Sequence, residues 1–284
     1  MREAVGAAAG SPVAASSPAA GGDINRAERM TLADGRELFV KHRPGAIPGM
    51  YSAEAAGLAW LAEADALRTP DVVAVGDERP PRFLALELIP RGRPAPGHDE
   101  DLGRGLAALH RAGAPAFGLG DDNFIGSLPQ PNGAAGSWPE FYGGRRLGPM
   151  ARAAAEAGSL GAGFLAGLER LRARLPDLCG PPEPPARLHG DLWGGNAMTD
   201  AAGAPVLIDP AVYGGHREID LAMMRLFGGF GAAVFAAYDE AHPLASGHED
   251  RVELYQLYPV LVHVVLFGGG YARSAERILR RYAG

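Results

Sequence analysis

Asp191 and Asn196 stand five residues apart in RLHGDLWGGNAMTD, with two glycines between them. Asp209 follows thirteen residues after Asn196, at the end of the apolar run Val206-Leu207-Ile208. Carboxylate and amide oxygens are hard donors of the kind that hold Mg²⁺. A carboxylate can also accept the hydrogen bond of an attacking hydroxyl and aim it. Far upstream are Lys41, whose ammonium could meet dense negative charge, and Glu54, which could hold that ammonium in place. These types together suit the movement of a phosphoryl group, whose charge needs a bridging cation and fixed donors. Each part has a plainer reading. An Asp and an Asn beside glycines often form a turn by bonding their own backbone, and Lys and Glu mostly sit at the surface. Composition adds a hint: of 27 Lys plus Arg, Lys41 is the one lysine.

The elements that must position these residues come next. INRAERMTLADGRELFVKHRP reads as two strands around a turn at Ala33-Asp34-Gly35, leaving Lys41 at the end of the second. SAEAAGLAWLAEADAL has helical spacing, with Ser52 as its cap and Glu54 in its first turn. DVVAVGD and RFLALELIP read as two further strands, and Pro90 with RGRPAPGHD as a hinge. From Asp101 the pattern turns helical, is interrupted by a Gly/Pro/Asn-rich loop over 114–138, and returns to helix over roughly 140–175. PDLCGPPEPP reads as a linker holding Cys179, PVLIDPAVYGG as a short buried strand, and 219–282 as mostly helix. The expected class is α+β, two-lobed: a small β-rich lobe over 1–89 and a larger helical lobe over 90–284.

On these elements the order Lys, Glu, hinge, Asp, Asn, Asp follows the protein-kinase pattern, with H-G-D-L-W-G-G-N at the catalytic-loop spacing and Asp209 in the place of its metal-binding Asp. In that pattern Asp191 is the base and Asn196 and Asp209 hold the metal. Lys41 contacts phosphates and Glu54 holds it. Gly21 and Gly22 could form a turn over the nucleotide, and the strand end Glu87-Leu88-Ile89 would offer backbone groups to adenine. Trp193 could stack on a substrate or simply pack. His110 and His263 read as structural, His189 as a scaffold for the loop, and Asp220 as a helix cap or a brace for the loop's N–H groups.

The chain resembles the fructosamine kinases, or ketosamine-3-kinases, within the protein-kinase-like and aminoglycoside-phosphotransferase-like fold. The resemblance rests on DNFIGSLPQPN, LHGDLWGGN and DPAVYGGHREIDLAM, and covers nearly the whole chain after residue 20. It implies ATP- and Mg²⁺-dependent phosphorylation of the 3-hydroxyl of ketosamines, on small amines or glycated proteins, as a deglycation step. It also implies that Trp193 and the loop from Asn123 to Asn132 lie near the sugar. Asp23 stands where some members carry cysteine. Two alternatives stay open: another hydroxyl-directed kinase, for an aminoglycoside, choline or a free sugar, and a binding protein that has lost catalysis.

The remaining composition narrows the partners. A formal charge of -6 and a pI near 5.8 argue against nucleic-acid or anionic-membrane surfaces. No apolar run has the length of a membrane span. The Ala/Ser-rich opening carries Glu3 and lacks a Leu-rich segment, so a cytoplasmic location is expected. A single cysteine cannot close an intrachain disulfide.

Overall fold

A computed structural model describes residues 1–19 and 26–284. Gly21 and Gly22, expected over the nucleotide, lie outside the described residues, as does Asp23. The first lobe is one antiparallel sheet of β1 (Val13–Ala19), β2 (Arg26–Leu32), β3 (Glu37–His42), β4 (Val72–Gly76) and β5 (Phe83–Glu87), in the order β1-β2-β3-β5-β4. The β2–β3 turn falls where expected: Gly35 takes φ +89° and Asp34 accepts the Arg36 N–H at 3.0 Å. Alternation along β3 separates its two faces. Leu38 and Val40 join a core with Val5 of helix α1 (Arg2–Ala9), while Phe39 and Lys41 face the cleft.

Helix α2 (Met50–Ala62) packs Tyr51 and Leu58 against Leu84 and Leu86 of β5. Glu54 lies between them at i+3 and i−4, so it shares their inward face. Two details differ from expectation. The helix starts at Met50 with Gly49 as its N-cap, and no side chain caps it; Ser52 instead gives its N–H to Asp77 at 2.9 Å. Glu54 therefore falls in the second turn. The Ala-rich opening, to which sequence patterning assigns no element, forms α1 and the edge strand β1.

The second lobe is mainly helical: α3 (His98–Ala112), α4 (Trp138–Phe141), α5 (Gly148–Glu156), α6 (Ala162–Leu178), α7 (Glu218–Phe227), α8 (Ala232–Ala241), α9 (His248–Phe267) and α10 (Gly270–Ala283). A π-helical turn, Tyr142–Leu147, joins α4 to α5. Helix α6 runs through Pro176 to Leu178, so part of the expected linker is helix and Cys179 is buried at its end. The expected loop over 114–138 contains a small hairpin, β6 (Asn123–Ile125) with β7 (Leu128–Gln130). None of the described helices is long and apolar enough to cross a membrane.

Two short antiparallel pairs carry the catalytic segments. β8 (Ala186–Leu188) pairs with β11 (Tyr213–Gly215), and β9 (Ala197–Thr199) with β10 (Pro205–Leu207). The loops 189–196 and 208–212 are thereby set side by side. Leu192, Leu207 and Val212 root both loops in a core with Leu106, Leu109, Leu221 and Met224. Gly57 lets α2 press on this region, since a Cβ there would stand 3.3 Å from the Val212 side chain.

Candidate active site

The sheet lobe and the helical lobe meet around a cavity of about 520 Å³. Lys41 reaches it from β3 and is 4% exposed. Its Nζ donates to Glu54 Oε1 at 2.6 Å and also binds Asp209 Oδ1. Burial by itself would lower the Lys41 pKa, but the Glu54 and Asp209 charges outweigh it and raise it above the usual lysine value. Burial raises the Glu54 pKa; the Lys41 charge opposes this and Asp209 adds to it. One ammonium thus ties the small lobe to the Asp209 loop.

Across the cleft the 189–196 loop is built from its backbone outward. Gly190 adopts φ +82°, and a Cβ there would stand 2.0 Å from the Ala211 carbonyl oxygen, so glycine is required. Asp220 of α7 receives the His189 N–H at 2.8 Å and the Gly190 N–H at 2.9 Å, the brace expected of it. His189 Nε2 meets the Ile208 carbonyl at 2.9 Å and its Nδ1 accepts from the Asp191 N–H at 3.3 Å. Burial lowers the His189 pKa, so the ring is a neutral scaffold. Ala211 gives its N–H to the His189 carbonyl at 2.9 Å, and Ile208 its N–H to the Asn196 carbonyl at 3.0 Å. These bonds fix the two loops to each other. Asp220→Ala leaves the buried His189 N–H and the half-buried Gly190 N–H without an acceptor and is expected to cost about 2 kcal/mol, read as a lowered chemical-denaturation midpoint; an unchanged midpoint would remove this role.

The functional groups follow from that frame. Asn196 donates through Nδ2 to the Asp191 carbonyl at 2.8 Å, to Asp191 Oδ2 at 3.1 Å and to the Asp209 carbonyl at 3.4 Å. Its amide is therefore oriented with Oδ1 left as an acceptor. Asp209 holds φ +55°, a left-handed conformation that Asp tolerates better than most residues. Asp191 is half-buried, and withdrawal from water pushes its pKa up to about 8; the Asn196 bond opposes this, while Asp209 and Asp220 add to it. Asp191, Asn196, Asp209, Lys41 and Glu54 all line one cavity.

Magnesium fits this donor set. Two hard protein oxygens, Asp209 carboxylate and Asn196 Oδ1, match the small protein share of a Mg²⁺ shell completed by phosphates and water. Among the described residues no cluster of three His, Cys, Asp or Glu forms a self-contained metal cage.

Other expected residues divide. Trp193, 39% exposed, lines the cavity, as does Asn123, whose Nδ2 donates to the Val212 carbonyl at 2.8 Å. Asn132 does not. It is fully buried behind the cleft, donating to Asn123 Oδ1 at 2.8 Å and accepting from Arg146 Nη2 at 2.6 Å, so it supports Asn123 instead of facing a sugar. Glu87, Leu88 and Ile89 do not line the cavity. The Glu87 carboxylate pairs with Arg68, and the Glu87 and Leu88 N–H groups bond to Asp71 and Glu37 carbonyls. Among the described residues, the Ile89 N–H meets no protein acceptor. His110 is structural as expected, bonded to Tyr238 at 2.8 Å. His263, also read as structural, lines the cavity with Phe227, Phe267 and Tyr271. Residue spacing missed those three because they come from the ends of separate helices; an aromatic directly before glycines, in Phe227-Gly228-Gly229 and Phe267-Gly268-Gly269, was the available signal.

Comparison with known proteins gives a consistent picture. A family model described as fructosamine kinase matches residues 3–283. A probable ketoamine kinase of Synechocystis sp. is 40% identical over 92% of this chain and 88% of its own length. A chloroplastic protein-ribulosamine 3-kinase of Arabidopsis thaliana is 38% identical over 92% of this chain and 80% of its own. A crystal structure from Thermobifida fusca, carrying a provisional fructosamine-3-kinase name, superposes with TM-score 0.89 at 42% identity, covering 99% of this chain and 97% of the other.

Proposed function

The chain belongs to the fructosamine kinase family, and from that premise we propose that it moves the γ-phosphoryl of ATP to the 3-hydroxyl of ketosamines. The substrates are sugar adducts of small amines or protein lysines. The phosphorylated adduct then breaks down and frees the amine, which makes the activity a deglycation step. One observation carries this reading: Lys41 joins Glu54 and Asp209 across the cleft that also holds Asp191 and Asn196. In this reading residues 1–89 cover the nucleotide and 90–284 carry the catalytic and metal-binding loops.

Each side chain has a role its position permits. Lys41 meets the α and β phosphates, with Glu54 holding it. Asn196 and Asp209 would hold Mg²⁺, which would supply positive charge against the phosphates. The Ile89 N–H is the hinge group available to adenine. Asp191 accepts the proton of the attacking hydroxyl, and Trp193 and Asn123 flank the sugar.

A substrate panel tests this directly. With Mg²⁺ and ATP, ribulose- or fructose-lysine mimics are expected to be phosphorylated while an aminoglycoside and choline are not; the reverse preference would overturn the assignment. The base role also sets the pH profile. The Asp191 pKa is raised, so the carboxyl is protonated and inactive below it and active above it. The rate kcat/KM should fall about tenfold per pH unit on the acid side of a midpoint displaced toward about 8. A profile flat down to the ordinary carboxylate range would contradict the role.

A further inference from the structure

Four large hydrophobic side chains are exposed among the described residues, and three of them, Trp193, Phe227 and Phe267, line the same cavity. Phe267 is 57% exposed, a costly position for a phenyl ring unless something covers it. Phe227 closes α7, Phe267 closes α9 and Tyr271 stands in the first turn of α10. His263, one turn before Phe267, joins them, with ring centroids 4.6 Å from Phe227, 5.4 Å from Phe267 and 5.0 Å from Tyr271. The wall adjoins the catalytic loop, since a Cβ on Gly229 would stand 2.9 Å from the Gly194 Cα.

The electrostatics of this wall favour a cation. Aromatic faces carry negative potential. His263 Nδ1 bonds the Pro259 carbonyl at 2.8 Å, and burial lowers the ring's pKa, so it adds no competing charge. In the cavity lining Glu54 and Asp209 share one ammonium, Lys41, and among the described residues no other Lys or Arg lines it. A ketosamine carries a secondary ammonium joined to the stem of its parent amine. We propose that Phe227, His263, Phe267 and Tyr271 form the subsite for this amine arm, holding the ammonium on ring faces and the stem on apolar edges. The inference rests on the ketosamine-kinase reading and deepens it: the enzyme selects adducts of long aliphatic amines, such as lysine side chains, over adducts of short ones.

Phe267→Ala and Phe227→Ala test it, Phe267 being exposed enough to spare the fold. The probes are the ribulose adducts of Nα-blocked lysine and of methylamine. Each variant is expected to raise KM for the lysine adduct about tenfold. KM for the methylamine adduct, which keeps the ammonium but lacks the stem, should rise clearly less, and KM for ATP should stay unchanged. Equal effects on both adducts, or none on either, would overturn the subsite while leaving the ketosamine reading intact. Failure of the unsubstituted enzyme to turn over any ketosamine would overturn both.

Discussion

Asp191→Asn is expected to bind ATP as the unsubstituted enzyme does and to turn over about 10³ to 10⁴ times more slowly. The substitution keeps size and shape and removes the charge that accepts the hydroxyl proton. The surrounding frame does not depend on that charge. The loop is held by Asp220 on the His189 and Gly190 N–H groups, by the contact of His189 with the Ile208 carbonyl, and by Leu192 in the core. The ATP contacts assigned to Lys41 and to the Ile89 N–H lie on the other lobe. Calorimetric ATP titration and steady-state kinetics together decide it. Turnover near the normal rate would take the base role away from Asp191, and lost ATP binding would show that the residue shapes the nucleotide site.

Lys41→Arg should also fail, by about 10² to 10³ in kcat/KM with a raised KM for ATP. A conserved charge would suffice if Lys41 were a surface cation, but it is 4% exposed and is clasped by Glu54 on one side and Asp209 on the other. A planar guanidinium needs more room and spreads its donors in a fork, so it displaces one of those carboxylates. Lys41→Met gives the matching control: it removes the ammonium and leaves Glu54 and Asp209 facing each other without a cation. Near-normal kinetics for either variant, with a native circular-dichroism spectrum, would remove the phosphate-contact role.

Much of this arrangement was legible in the sequence because it depends on short spacings. The Asp191–Asn196 interval spans one glycine turn, and Lys41 and Asp209 each end an apolar strand that fixes their direction. Asp220 was readable as a brace because it opens a helix soon after the catalytic segment. Other features depend on contacts between distant segments and left weaker marks. The Ala-rich α1 has little apolar contrast, yet Val5 completes the core behind β3. Asn132 was expected near the sugar because the family resemblance places its loop there. Its burial under Arg146 is set by the π-helical turn, which spacing does not reveal. The hinge residues illustrate a third limit, since a strand end does not disclose which of its N–H groups neighbouring strands will take.

Everything turns on whether the sugar's 3-oxygen sits beside Asp191 when ATP is bound in the same cleft. The direct measurement is proton–phosphorus correlated NMR on the product formed from ATP, Mg²⁺ and a ribulose-lysine adduct. The expected spectrum couples the new phosphate ester to the proton on carbon 3. An ester at any other carbon, or none while ATP is consumed, would contradict the placement of Asp191 as the base for that hydroxyl.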